Sequence, residues 1–417
     1  MSNKCLVIVL TMLITGISAT AQVLTIDSCY ALAVRNYPLI KQYELIEKTK
    51  EYTLSNAGKA FLPQVSITAI EGYVFGDLPS FGGPGTGTSS SNFKFIGIGQ
   101  VSQLIWDGGA TKTQKKITKA NAETEKASVD VSLYELRSRV NQLYFGILLV
   151  DEQLRQLEVQ NSILNNNIDR IKKLNENGLA YKTDVDEIRV EQLKLDQQKT
   201  EFNYTRNGYT TVLSLLVGVQ ITAATIFQKP VINNQPADMD ILRPELSFFK
   251  SQRNLANAKA DMQRVNLMPK IGLLGAGVVL APGLTSSGAT GIGVAGLNAS
   301  WNINGFYKKS NEKNLTQQEL NKINVQEETF LFNTRFQASQ SSADINKQKA
   351  ILAGDDEIVS LRKSIRDGYQ LKYDTGTGPL LDLLNATERE SEARSQKALH
   401  EMQLLMTLYN YKTLIGN

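Results

Sequence analysis

The chain repeats itself at long range, and the repetition limits what it can fold into. Pro38 and Pro244 are 206 residues apart, and so are Pro63 and Pro269. Asp107-Gly108 recurs as Asn304-Gly305 at an offset of 197. Leu216-Val217-Gly218 recurs as Leu414-Ile415-Gly416 at an offset of 198, and Gly178 with Asp184 recurs as Gly376 with Asp382. The register changes once, so one copy carries one longer loop and the other elements match in length. Two copies of a unit of about 190 residues must be explained together. The expected division is a signal peptide at 1–21, a first repeat at 22–217, a linker at 218–240 and a second repeat at 241–417.

The leader reading rests on Lys4, the apolar run Cys5 to Ile17, and Ala19-Thr20-Ala21 as a small-x-small cleavage site. Cys5 would leave with it, and Cys29 then has no partner for an internal disulfide. The net charge of +4 names no acidic partner.

No proline falls between Pro84 and Pro230 or between Pro282 and Pro379, so both gaps permit long helices. Val129, Leu133, Leu136, Val140, Leu143, Ile147, Val150, Leu154 and Leu157 step by alternating fours and threes, and the seam resumes at Leu164, Ile168 and Ile171. A mean spacing near 3.5 predicts a left-handed supercoil. The predicted helices are 110–177 and 183–217 in the first copy, and 308–373 and 380–414 in the second. Each pair forms an antiparallel hairpin. Gln192, Lys199 and Arg206 interrupt the seam of the 183–217 helix. Shorter helices, about 27–60 and 244–266, open the copies.

Between the opening and long helices, the spacing predicts a β-hairpin in each copy, over 64–105 and 270–303. The first has a Gly/Pro/Ser-rich tip at 76–91. The second contains no charged residue from Ile271 to Tyr307. Strands of ten to twelve residues without charge match a tilted membrane strand, and the other reading is a buried soluble hairpin. Both tryptophans, Trp106 and Trp301, lie at strand-to-helix junctions, where interfacial anchors would sit. Lys112, Lys115, Lys116 and Lys119 follow one junction, and Lys308, Lys309 and Lys313 the other. They either snorkel toward headgroups or solvate a helix start. Four strands cannot close a barrel, and open edges cannot face lipid, so several chains must pool strands.

Leu62-Pro63-Gln64, Trp106-Asp107-Gly108-Gly109, Gly178-Leu179 with Asp184-Val185, Tyr373 with Gly376, and Leu381-Asp382-Leu383-Leu384-Asn385-Ala386 occur in an order that resembles the TolC-type outer-membrane efflux proteins. The resemblance covers essentially the whole mature chain. It implies a mixed α/β membrane protein: a homotrimer with one twelve-stranded β-barrel, four strands per chain, continued by an α-helical coiled-coil barrel in the periplasm. It also implies an exit channel for efflux or type I secretion, without cofactor or catalysis. A periplasmic adaptor and an inner-membrane pump of RND or ABC type would load it. The second hairpin tip would line the periplasmic entrance, with Asp382 forming a ring of three carboxylates near Tyr373. The second acidic position of the pattern is Asn385 here and a basic one is Gly378, which implies one acidic ring and a gate held more by packing. Asp382 has a plainer reading as a helix N-terminal carboxylate, with Asp184 as its counterpart in the first copy. The tips, with Gly178, Leu179, Tyr181, Asp184, Gly376 and Pro379, are the expected adaptor docking surface, or ordinary turn residues. A periplasmic coiled-coil adaptor is the alternative function.

Three signals are set aside. Gly291-Ile292-Gly293-Val294-Ala295-Gly296 has dinucleotide-site spacing but lacks the strand-to-helix context. His400 stands alone in a helix, without a ligand set. No nucleophile–base constellation stands out, and an exported chain is a poor candidate for binding nucleic acid.

Overall fold

The computed structural model describes residues 23–73, 75, 93–177, 181–231, 240–281 and 289–416. The expected leader, the first hairpin's tip loop, Gly178-Leu179 and the Pro282-Gly283 turn lie outside the described residues. The first copy supplies β1 (Val23–Leu24), α1 (Ile26–Asn36), α2 (Gln42–Gly58), β2 (Gln64–Tyr73), β3 (Phe93–Trp106), α3 (Ala110–Tyr134), α4 (Leu136–Glu176) and α5 (Lys182–Val217). After β4 (Ile226–Phe227), the second copy supplies α6 (Pro244–Val265), β5 (Lys270–Ala281), β6 (Thr290–Ser300), α7 (Asn304–Asp374) and α8 (Leu380–Ile415). The contacts group these into two units, each drawing on both copies. One comprises Lys41–Asp130 with Glu245–Thr329, and the other comprises the remaining segments.

Two expected helices are interrupted. The opening helix breaks at Pro38, with Tyr37 extended and a 3-10 turn over Pro38–Lys41. A residue before proline is pushed out of the helical region, so the break is where chain chemistry requires it. The helix expected over 110–177 is divided at Glu135, which itself keeps helical angles of φ −60° and ψ −22°.

In the unit of Lys41–Asp130 and Glu245–Thr329, the two hairpins join into one antiparallel sheet of order β2-β3-β5-β6. Ile67 pairs with Gly99, Gly99 with Gly277, and Gly277 with Gly293. Side chains alternate faces along a strand, so this register sorts the whole sheet. One face carries Val65, Ile67, Tyr73, Val101, Leu273, Val279 and Leu297, with Glu71 and Gln103 as its polar members. The other carries Gln64, Ser66, Thr68, Gln100, Ser102 and Asn298 among apolar and small residues. A register shift between Leu104 and Trp106 sets Trp106 opposite Ile271, on the apolar face.

The other unit is a set of coiled helices. Every residue of the predicted seam is buried or half-buried, with Val140, Ile147 and Ile171 at 1% exposure or less. Its polar interruptions are satisfied: Gln192 Nε2 donates to Asn165 Oδ1 at 2.8 Å, and Arg206 Nε to Asp151 Oδ1 at 2.5 Å. Lys199 is exposed. The repeated glycines Gly218 and Gly416 both end helices in the left-handed region, at φ 71° and 95°. A Cβ there would be strained in backbone and would also meet Asn36 or Leu242. The Tyr144 hydroxyl lies 2.8 Å from Leu24 O and 2.7 Å from Gln228 O, locking the short parallel β1–β4 pair.

Candidate functional site

The two helix-hairpin ends converge in one cluster. Leu164, Ile168 and Ile171 of α4, Ile188 of α5 and Leu380 of α8 are buried together, with Tyr373 and Leu384 packed against them. Burial and the nearby Asp184 carboxylate push the Tyr373 phenol upward in pKa. Tyr373 is therefore a packing element at the tip.

Asp184 and Asp382 hold equivalent third positions in α5 and α8, and the structure separates them. Asp184 Oδ2 accepts the Tyr181 N–H at 3.0 Å, closing the first turn of α5. The residue matching Tyr181 is Pro379, which has no N–H to give. Asp382 is exposed, and among the described residues its carboxylate accepts no hydrogen bond. A capping hydrogen bond thus accounts for Asp184, while Asp382 keeps only the favourable place of a carboxylate in the first turn of a helix. Replacing Asp184 with alanine is expected to cost about 1 kcal/mol of helix stability, while Asp382→Ala costs little by this route. Thermal unfolding followed by circular dichroism compares the two.

The α7–α8 turn is built on one carbonyl. Lys372 O accepts from Thr377 N at 2.9 Å, Gly378 N at 3.1 Å and Thr377 Oγ1 at 3.1 Å. Gly376 has φ 72°, and a Cβ on Gly378 would sit 3.0 Å from Lys372 Cβ. Gly378 therefore meets a demand of the turn, which explains why no basic side chain stands there. Asn385 and Tyr181 are exposed, Tyr181 at 80%. A groove of about 410 Å³ runs between α5 and α8, with Asp186, Glu187, Glu191 and Glu388 on its walls and Leu381 and Asn385 lining it.

Two charged contacts escaped sequence reasoning. Arg170 pairs with the Asp374 carboxylate and donates from Nη2 to Asp374 O at 3.3 Å, while Gln370 Nε2 donates to Asp374 Oδ1 at 2.7 Å. This ties α4 to the end of α7. Glu390, 3% exposed, takes Arg366 Nε at 2.8 Å and Arg394 Nη2 at 2.7 Å. Glu390 with Arg394 is a local i,i+4 pair, but Arg170 with Asp374 and Arg366 with Glu390 lie on different helices and leave no periodic trace.

At the strand-to-helix junctions, Asp107 is buried and accepts from Gly109 N at 2.8 Å and Thr111 N at 2.5 Å, starting α3. Trp301 donates its indole N–H to Leu267 O at 3.0 Å, and Trp106 and Trp301 remain 44% and 57% exposed. Lys116 pairs with Asp261 at 2.6 Å. Lys112, Lys308 and Lys309 are exposed and Lys115 half-buried. Among the described residues, no helix is long and apolar enough to cross a membrane, and no group of three acidic, histidine or cysteine residues could hold a metal ion.

No protein-family model matches the chain, and no curated protein matches it. Solved structures do. The outer-membrane protein VceC of Vibrio cholerae shares 12% identity, covering 94% of this chain and 95% of its own, with a TM-score of 0.65. The outer-membrane channel OprN shares 13%, covering 94% and 89%, at 0.66. The Neisseria gonorrhoeae MtrE outer-membrane channel shares 12%, covering 94% and 89%, at 0.62. The chain has the fold of these outer-membrane channels. The TolC-type architecture expected from the ordered motifs is thus met in the fold of one chain.

Proposed function

We propose that three copies of this chain close a twelve-stranded barrel in the outer membrane and form the passive exit duct of a tripartite efflux or type I secretion machine. An inner-membrane pump and a periplasmic adaptor supply its cargo, small molecules or polypeptides. One observation carries the reading: a four-stranded sheet whose edges, β2 and β6, are unpaired among the described residues, with one face almost wholly apolar. Such a sheet is an aggregation hazard in water and incomplete in lipid. Strands from neighbouring copies remove both problems, and the apolar face then meets lipid while the polar residues of the other face line the lumen. The exposed apolar residues Phe332, Phe336, Ile358 and Leu361 along α7 also call for cover by a second copy. A periplasmic adaptor or scaffold would have no use for that sheet.

The test is whether purified protein forms a heat-modifiable trimer in detergent that conducts in planar bilayers. A soluble monomer ends the proposal. Within the duct, the exposed Asp382 carboxylates form the cation-attracting ring at the entrance, with packing around Tyr373 holding it narrow. Asp382→Ala is expected to raise conductance or weaken block by divalent cations. Unchanged block in bilayer recordings removes the ring.

A further inference from the structure

We infer that the groove between α6 and the start of α7 is a binding site for the phosphate headgroup of an anionic phospholipid. The inference rests on the reading that the sheet spans a membrane. The groove holds about 670 Å³ and is lined by Arg264, Leu267, Lys308, Lys309, Lys313 and Glu312, among others. Its one carboxylate, Glu312, accepts a hydrogen bond from the neutral Gln263 amide, Nε2 to Oε2 at 3.1 Å. Among the described residues, Lys308, Lys309 and Lys313 form no ion pair, and Arg264 has only a 3.9 Å contact with Asp261. Four cations against one carboxylate leave this concave site net positive, which attracts a ligand carrying phosphate oxygens.

The rim indicates where that phosphate comes from. Leu267, which lines the groove, accepts the Trp301 indole N–H, so the groove opens beside the end of β6. Trp301, Phe306 and Tyr307 are 57%, 45% and 81% exposed there. Exposed aromatics next to a cationic recess suit an amphipathic ligand at a membrane edge, with acyl chains beside the rings and headgroup among the lysines. The first copy differs. Its Lys116 is paired with Asp261 and its Lys115 ammonium packs 3.3 Å from where a Cβ on Gly58 would be. This leaves Lys112 and Lys119 as its exposed cations, against four around the α6–α7 groove.

Native mass spectrometry of the detergent-purified assembly titrated with phosphatidylglycerol tests this. The combined Lys308→Gln, Lys309→Gln, Lys313→Gln variant is expected to bind on the order of 100-fold more weakly, a loss of about fivefold per lysine. The matching Lys112→Gln, Lys115→Gln, Lys119→Gln variant should bind as the parent does. Equal loss in both, or loss in neither, overturns the site. Displacement of the lipid by millimolar inorganic phosphate would mark a small-anion site and overturn the lipid assignment. If the triple variant fails to assemble, protection of Lys308, Lys309 and Lys313 from acetylation by added phosphatidylglycerol decides on the parent protein. A parent chain that forms no assembly in detergent rejects the membrane reading itself, a result distinct from an assembled channel that binds no lipid.

Discussion

Arginine in place of Ile67 should abolish the detergent-resistant trimer, while arginine in place of the adjacent Thr68 should leave it intact. Ile67 is 82% exposed in the middle of β2, on the apolar face of the sheet. Thr68 points to the opposite face, paired with Ile98, with the Ser66–Gln100 pair on one side and the Ile70–Ile96 pair on the other. An arginine facing lipid at the bilayer midplane costs about 2–4 kcal/mol, and a lumen-facing one costs little. A trimer multiplies the cost by its three copies. Heat-modifiable migration and outer-membrane fractionation of the two variants give the answer. If Thr68→Arg is the damaging change, the faces are assigned the wrong way round. If neither change matters, the sheet does not face lipid.

This pair of residues also marks how far sequence reasoning reached. The alternation within each strand was readable, but small residues occupy both faces of the second hairpin, so sequence alone left open which side was apolar. The hairpin-to-hairpin register decides it. The pairing of β3 with β5 sets Val101 opposite Gly275 and Gln103 opposite Leu273. That pairing depends on packing between distant segments, and the one-residue bulge before Trp106 has no local signature. The long helices were legible almost to their ends, because proline gaps and a heptad seam are local facts. The two-residue strands β1 and β4 were not, because so short a run has no period.

The same contrast holds at the tip. Matching positions placed Asp184 and Asp382 in equivalent turns, and the sequence could not choose between capping and an entrance role. The residue at the helix start separates the two: Tyr181 gives Asp184 an N–H to accept, and Pro379 gives Asp382 none. That difference and the helix start at Leu380 were both visible in the sequence, while the hydrogen bond from the Tyr181 N–H to Asp184 was not. Arg170 with Asp374 was invisible, since nothing local couples the two.

Removing the Glu390 carboxylate should be the most costly single change in the α7–α8 hairpin. Its side chain is 4% exposed and that of Arg366 15%, so the pair is nearly withdrawn from water. Burial alone would raise the Glu390 pKa, but the hydrogen bonds from Arg394 and Arg366 outweigh it and hold the carboxyl below its ordinary value of 4.5. Glu390→Ala strips Arg394 of its partner and leaves the Arg366 guanidinium with only the more exposed Asp367 carboxylate, 3.0 Å away. The cost therefore falls somewhat below the roughly 3–5 kcal/mol of a fully uncompensated buried charge. Replacing Glu390, Arg366 and Arg394 together with apolar residues of similar volume should be near neutral, because desolvation and attraction are removed at once. The pH dependence has a definite sign. A depressed carboxylate contributes stability above its unfolded pKa, and the contribution drains away as pH falls below about 4.5 through the folded value. Chemical denaturation at pH 7 and at pH 3 should therefore show a parent-to-Glu390→Gln gap that shrinks on acidification. A gap that holds constant across that range would mean that the charge on Glu390 contributes nothing to the hairpin.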